Sequence, residues 1–317
     1  MLRLAILIKW EQFDPKRDNS VRDDSLDLPF EIPAPAGLGT TPVWTGNGFL
    51  SGAKEVRVLE YSENFAGWSD ELTNLIDESS GGTHPIDLAS RSEAVEQLRR
   101  HLHHRERPVI LEIGCSSGFL LRDIREQFPH AFLCGADTVR EPLFRLADTL
   151  PGIPLFRFDL LQSPLPEGTF DAVVILNVLE HIEDDRAALE QIYRLLKPGG
   201  IAVLEVPAGP DLFDDYDRAL KHFRRYSIDD LSTKLRETGF RVVRRSHLGC
   251  LLYPAFAFIK SRKREIPPDD LHLLVKNQTR DSSGLIVKWI MKLEIALGRW
   301  ISFPVGIRCL VTAIKQT

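Results

Sequence analysis

The chain has 317 residues, 43% hydrophobic and 27% charged, with a formal net charge of −5. That apolar share can fill a large core, which excludes a disordered or fibrous chain, and the length suits one elaborated domain or two ordinary ones. Lys+Arg 40 against Asp+Glu 45 argues against nucleic acid as the main partner.

Taken in chain order, residues 1–85 read as an N-terminal extension, partly irregular. The run Leu4–Ile8 is too short for a secretory h-region. Lys16–Asp27 is charged, and Pro29–Pro42 is rich in Pro and Gly, so neither offsets the entropy of ordering by burial. Val43–Thr45 and Glu55–Glu60 are expected to pair as a hairpin around Gly46–Gly52. A helix is expected from Ser90, with Glu93 at capping-box spacing and a stripe of Val95, Leu98 and Leu102.

From Pro108 the pattern alternates strand and helix. Strands are expected at Val109–Ile113, Phe132–Ala136, Leu155–Phe158, Phe170–Asn177 and Ile201–Val206. The helices between them carry Leu120, Leu121 and Ile124, then Leu143, Leu146, Ala147 and Leu150, then Leu189, Ile192, Tyr193 and Leu196. A further helix starts near Ser227, with Asp230 at capping spacing, and ends at Gly239; Phe240–Arg245 and Val305–Ile314 read as the last two strands. The expectation is an α/β fold: a Rossmann-like, doubly wound, seven-stranded sheet with helices on both faces. Residues 86–247 would form its core, 248–304 a helical lid insertion and 305–317 the last strand.

Chemistry concentrates at the first strand's end, in Leu111-Glu112-Ile113-Gly114-Cys115-Ser116-Ser117-Gly118-Phe119. Glycine there lets backbone approach a ligand, and the next helix offers free N–H groups. A dinucleotide GxGxxG would need glycine where Ser116 and Phe119 stand, and the GK[ST] of a phosphate-binding P-loop is absent. The remaining E-x-G-x-x-x-G form resembles motif I of the class I S-adenosylmethionine (SAM) methyltransferases, of the type 11/23 kind. Asp137, 19 residues after Gly118, Asp159 after the third strand, Phe170–Val174, Asn177–Ile182 and Leu196–Gly200 resemble that family's later motifs. The departure is Ser116, where the commoner pattern has a second glycine.

The resemblance implies SAM as cofactor, held by Glu112, Gly114, Cys115, Ser116, Gly118, Asp137, Thr138, Asp159, Leu160 and Asn177. Asp137 would take the ribose hydroxyls and Asp159 the adenine amino group. It implies an enzyme that aligns an in-line methyl displacement, with a base where the acceptor starts protonated. His181, just beyond strand four, is a candidate base or a histidine packed beside the cofactor. Asp211–Tyr226 resembles an H-x-R-R-Y stretch of some bacterial methyltransferases, read as a gating loop: His222 is a second candidate base, and Arg225 a clamp for an anionic acceptor group. The alternative is a solvated charged helix end with Tyr226 buried.

No metal site is expected. His101, His103 and His104 read as a solvated helix end, and Cys115, Cys134, Cys250 and Cys309 form no CxxC pair. Unpaired thiols, and no apolar run of about 18 residues, point to a cytoplasmic protein. Leu248–Ile259 is apolar and followed by the basic run Lys260–Arg264; a second helix carries Ile286, Ile290, Leu293 and Leu297 with Trp289 and Trp300. The preferred reading buries these faces as a lid, which favours a small-molecule acceptor with an apolar portion. The alternatives are peripheral contact with an anionic membrane carrying a lipid-linked or glycan acceptor, and a SAM-binding protein without transferase activity.

Overall fold

Short apolar runs alternating with one-sided helices bury both faces of a sheet by laying helices against each. The computed structural model, which describes residues 28–62, 68–80, 82–261 and 284–316, has that arrangement. Leu4–Ile8, Lys16–Asp27 and the basic residues 262–264 lie outside the described residues.

Residues 28–62 of the N-terminal extension are more ordered than their composition suggests. Strands β1 (Val43–Trp44), β2 (Phe49–Ser51) and β3 (Lys54–Val56) form an antiparallel meander. The expected hairpin is therefore corrected: Val43 pairs with Leu50 and Phe49 with Val56, so residues 49–51 form the middle strand rather than part of the turn. Trp44 and Phe49 are buried, which anchors the meander to the core. Strand β4 (Leu59–Glu60) then joins the main sheet, and helix α1 (Asp70–Ser80) follows. Helix α2 spans Pro85–Leu102. It begins five residues before the expected Ser90 cap, because Pro85 opens the first turn and the Ser90 hydroxyl instead donates to the Ile86 carbonyl, 2.9 Å away.

The main sheet continues with β5 (Val109–Ile113), β6 (Phe132–Asp137), β7 (Leu155–Arg157), β8 (Phe170–Leu176), β9 (Leu196–Pro207), β10 (Phe240–Leu248) and β11 (Arg308–Lys315). Its order is β10-β11-β9-β8-β5-β6-β7-β4. The strands from β9 to β4 are parallel, whereas β11 runs antiparallel to both β9 and β10. The seven expected strands are all present, and β4 adds an eighth at the edge.

Helices α3 (Phe119–Gln127), α4 (Glu141–Thr149), α5 (Asp185–Leu195) and α7 (Ile228–Glu237) cover the two faces, with the short α6 (Asp215–Ala219) before α7. Period-2 alternation divides β5 between them: Ile110 packs with Leu121, Ile124 and Leu143 on one face, Leu111 with Val173, Leu189 and Ile192 on the other. Each such buried side chain contributes about 1.5–3 kcal/mol. Strand order reverses between β5 and β8, so the crevice at their carboxyl ends is where a ligand binds in this topology.

The insertion gives α8 (Tyr253–Ser261) and α9 (Leu285–Gly298). Two expectations for it fail. Lys260, read as part of a basic surface run, is buried and ion-paired to Asp214 and Asp217. The face of α9 bearing Ile286, Trp289, Leu293 and Leu297 is exposed rather than packed down as a lid; the buried side is Met291, Glu294 and Gly298. Glu294 satisfies the backbone N–H groups of Gly249, Cys250 and Leu251, which fixes that side inward. No helix among the described residues is long and apolar enough to cross a membrane.

Candidate active site

The loop after β5 owes its shape to three residues in left-handed backbone: Gly114 (φ 79°), Ser116 (φ 45°) and Gly118 (φ 74°). A Cβ on Gly114 would lie 2.2 Å from Val178 Cγ2, and one on Gly118 2.3 Å from Leu146 Cδ1. Both positions require glycine. At 116 the conformation alone favours glycine, which accounts for the commoner family residue while leaving serine tolerable. Gly118 supplies no side-chain cap to α3, so first-turn N–H groups remain for a ligand.

Asp137 closes β6 beside this loop. Its Oδ2 accepts the Ser116 N–H at 2.7 Å, and its Oδ1 those of Thr138 at 2.7 Å and Val139 at 3.2 Å. Burial raises its pKa, opposed by those three N–H groups. Asp159 caps the turn Leu160–Gln162 through the Leu161 N–H at 2.9 Å. Glu112, Cys115 and Leu160 are buried. Burial, then the Asp137 charge, pushes the Glu112 pKa well above the carboxylate range, and its Oε2 has no hydrogen-bond partner among the described residues.

Helix α1 lies against this half of the cleft, which sequence reasoning missed because the extension read as an arm. Asp77 accepts the Ser117 hydroxyl, and Asp70 accepts the Arg140 and Glu141 N–H groups at 2.8 and 3.2 Å, capping α4 from a distant segment. Trp68 packs on His181 with ring centroids 4.7 Å apart.

Beyond β8 the site changes character. Asn177 (φ 53°) gives its backbone N–H to the Glu205 carbonyl and its Nδ2 to Glu205 Oε1, at 2.8 and 3.0 Å. The Asn177 amide is thereby oriented by Glu205, with its Oδ1 left to accept. Glu205 in turn pairs with Arg308, which also bonds Asp87 and Ser90. The only sequence signal for this network was a charge inside the apolar run Ile201–Val206.

His181 and His222 meet edge to face, with centroids 4.7 Å apart. Burial, reinforced by His222, pulls the His181 pKa down to about 3, and its Nδ1 lacks a partner among the described residues. His222 Nδ1 bonds Asp217 Oδ1 at 2.9 Å. Asp217, fully buried, also takes Arg225 Nε at 2.8 and 2.9 Å and Lys260 Nζ at 3.3 Å. Burial alone would raise its pKa; the bonds from His222 and Arg225, with the charges of Arg225 and Lys260, hold it well below the usual range. Arg225 gives Nη1 to the Ala208 carbonyl at 3.1 Å. The anion clamp expected of Arg225 is therefore corrected: its charge faces Asp217, and it positions that carboxylate.

The rest of the H-x-R-R-Y stretch is a latch. Phe223 N–H donates to the Glu180 carbonyl, Arg224 bonds the Ile182 and Glu183 carbonyls and Asp185, and the Tyr226 hydroxyl bonds Asp185 at 2.9 Å. It fixes residues 179–185 beneath His222. Glu180, buried, is pushed up to about 8 by desolvation, and its Oε2 has no partner among the described residues. Glu180, His181 and His222 each bring one oxygen or nitrogen within 4.8 Å of the others, a set that could hold a cation.

A methyltransferase-domain family model matches residues 88–245. Cycloartenol-C-24-methyltransferase of Arabidopsis thaliana is 27% identical over 220 residues, 62% of this chain and 65% of that protein. An O-methyltransferase of Pyrenophora dematioidea is 31% identical over 176 residues, 51% of this chain and 64% of that one. The chain spans 52% to 65% of the length of the first three curated relatives it matches. A solved structure of a candidate sarcosine dimethylglycine methyltransferase from Galdieria sulphuraria superimposes with a TM-score of 0.55 at 14% identity, over 78% of this chain and 99% of that chain; this likeness shows the fold. The matched family model, the glycine loop and the sheet order agree: this chain belongs to the class I SAM-dependent methyltransferases, with their Rossmann-like fold.

Proposed function

We propose that the protein transfers a methyl group from SAM to a small-molecule acceptor with an apolar portion, with His222 as the base. The observation that carries this reading is the Asp217–His222 pair set across the strand-order reversal from the loop 114–118. The loop fits the cofactor: Gly114 and Gly118 hold the left-handed backbone that bends it, α3 offers uncapped N–H groups, and the carboxylates of Asp137 and Asp159 follow the second and third core strands, as acceptors for ribose and adenine would. When bound, SAM supplies an activated methyl on its sulfonium.

The chain's own residues do the rest. Asp217 accepts the Nδ1 proton of His222, which fixes the tautomer that leaves Nε2 as a proton acceptor. His181, neutral because burial opposes its protonation, packs between Trp68 and His222 and helps exclude water. An acceptor hydroxyl or amine would lose its proton to His222 Nε2 as the methyl arrives. Relatives named for cycloartenol and for O-methylation support an acceptor with apolar and hydroxylated parts.

The test is a screen of metabolite extracts for methyl incorporation from labelled SAM. Label entering an apolar product with wild type, and not with His222→Ala, supports the proposal; no incorporation by wild type into any fraction contradicts it. A second reading, a divalent cation held by Glu180, His181 and His222, rests on their convergence. It predicts loss of turnover after chelation, whereas the base reading predicts none.

A further inference from the structure

Helices α8 and α9 leave the end of β10 with large apolar side chains in solvent. On α9, Ile286 is 76% exposed and Trp289 72%, with Leu293 also exposed; just beyond the helix, Trp300 is 87% exposed. On α8, Phe258 and Ile259 are exposed at 57% and 70%. Ile286, Trp289 and Leu293 recur at intervals of three and four, so they form one stripe along α9. Apolar surface gathered in this way marks an interaction face rather than the scattered exposure of ordinary surface residues.

Charge selects the partner. The chain as a whole is acidic, with a formal charge of −5. Yet the acid of α9, Glu294, is buried on Gly249, Cys250 and Leu251, so the charges this segment shows outward are Lys288, Lys292 and Arg299. The one charge on α8, Lys260, is also turned inward, leaving the outer side of that helix apolar. A tryptophan-bearing apolar stripe flanked by lysines four residues apart is the pattern of a helix lying in a lipid interface, indoles at headgroup depth and ammonium groups at phosphates. At 14 residues, α9 is about 21 Å long, too short to span the hydrocarbon.

We propose that α9, with Trp300 beyond it, forms a monotopic docking face for an anionic lipid bilayer. The face is tied to the candidate active site through the turn into α8: α9 packs Met291 and Ile295 with Leu248 and Leu252, and α8 then turns Lys260 inward, 2.5 Å from Asp214 and 3.3 Å from the Asp217 that holds His222. Docking would thus present the transfer side of the cleft to an acceptor residing at the bilayer surface. That last step rests on the methyltransferase reading above; the docking itself does not.

The experiment is co-sedimentation of the full chain with phosphatidylcholine vesicles containing none or 30% phosphatidylglycerol, with light scattering of the protein alone alongside. The expected result is binding to the anionic vesicles only, weakened at least tenfold in Lys288→Glu/Lys292→Glu, by raised salt, and in Trp289→Ser/Trp300→Ser. SAM binding by each variant should stay at the wild-type value, which separates docking from the cofactor site and confirms folding. No binding of wild type to either vesicle overturns the proposal. A wild-type dimer in solution that the tryptophan variant dissolves would also overturn it, by showing that the face is covered by a second copy.

Discussion

On the β5–β7 side of the crevice, the groups available to a ligand are mostly backbone: N–H donors in a loop bent by Gly114, Ser116 and Gly118, with the Asp137 carboxylate tied to three further N–H groups. On the β8–β9 side they are side chains, and each is held by another. His222 is held by Asp217, Asp217 by Arg225 and Lys260, and Asn177 by Glu205 and through it by Arg308. Backbone geometry tolerates a range of substrates because it recognises one cofactor. A side-chain network can be retuned residue by residue, which suits the half that meets the acceptor. The two halves should therefore fail differently when mutated.

The largest effect should come from the side-chain half. His222→Ala should lower turnover by about 10²–10⁴ once an acceptor is in hand, with KM for SAM little changed. Removing charge one step back, Asp217→Asn would leave buried Arg225 and Lys260 facing a neutral amide. Urea unfolding should show a loss of about 3–5 kcal/mol. Because the Asp217 pKa is depressed on folding, its contribution is present above the unfolded carboxylate pKa and fades as pH falls below it toward the folded value. The gap between wild type and Asp217→Asn should accordingly narrow in strong acid.

Glu180 has the opposite sign. Folded, it keeps its proton up to about pH 8; unfolded, it ionises near the ordinary glutamate value of 4.5. Between those limits the folded chain binds more protons, so stability falls as pH rises across the window. Glu180→Gln should flatten that slope in denaturation curves at pH 5 to 8; an unchanged slope would mean another group sets it. The smallest effect belongs to the backbone half. Ser116→Gly replaces a strained left-handed serine with the residue that prefers it, and should shift stability by no more than about 1 kcal/mol while leaving SAM affinity within a factor of two.

The same contrast explains what could be read from the chain alone. Glycine spacing and strand-end acids are local patterns, so the core strands along the chain and the positions of Gly114, Gly118, Asp137 and Asp159 were legible, whereas their order in the sheet was not. Partnership between distant side chains is not local. The H-x-R-R-Y stretch is visible as a string, but that Arg225 serves Asp217, and Arg224 and Tyr226 serve residues 179–185, depends on contacts 8 to 47 positions apart. Trp68 and helix α1 were missed for a related reason: their partners, His181 and Ser117, lie in other segments. Lys260 looked basic and exposed until two aspartates 43 and 46 positions away claimed it.

The claim that the crevice separates cofactor binding from transfer can be tested without knowing the acceptor, by calorimetric titration of SAM into wild type, Asp137→Ala and His222→Ala. Charge-assisted bonds to a carboxylate contribute about 1.5–3 kcal/mol each. The account predicts saturable binding to wild type, an affinity at least tenfold weaker in Asp137→Ala, and a wild-type affinity in His222→Ala. No binding by wild type, or an equal loss in both variants, would contradict it.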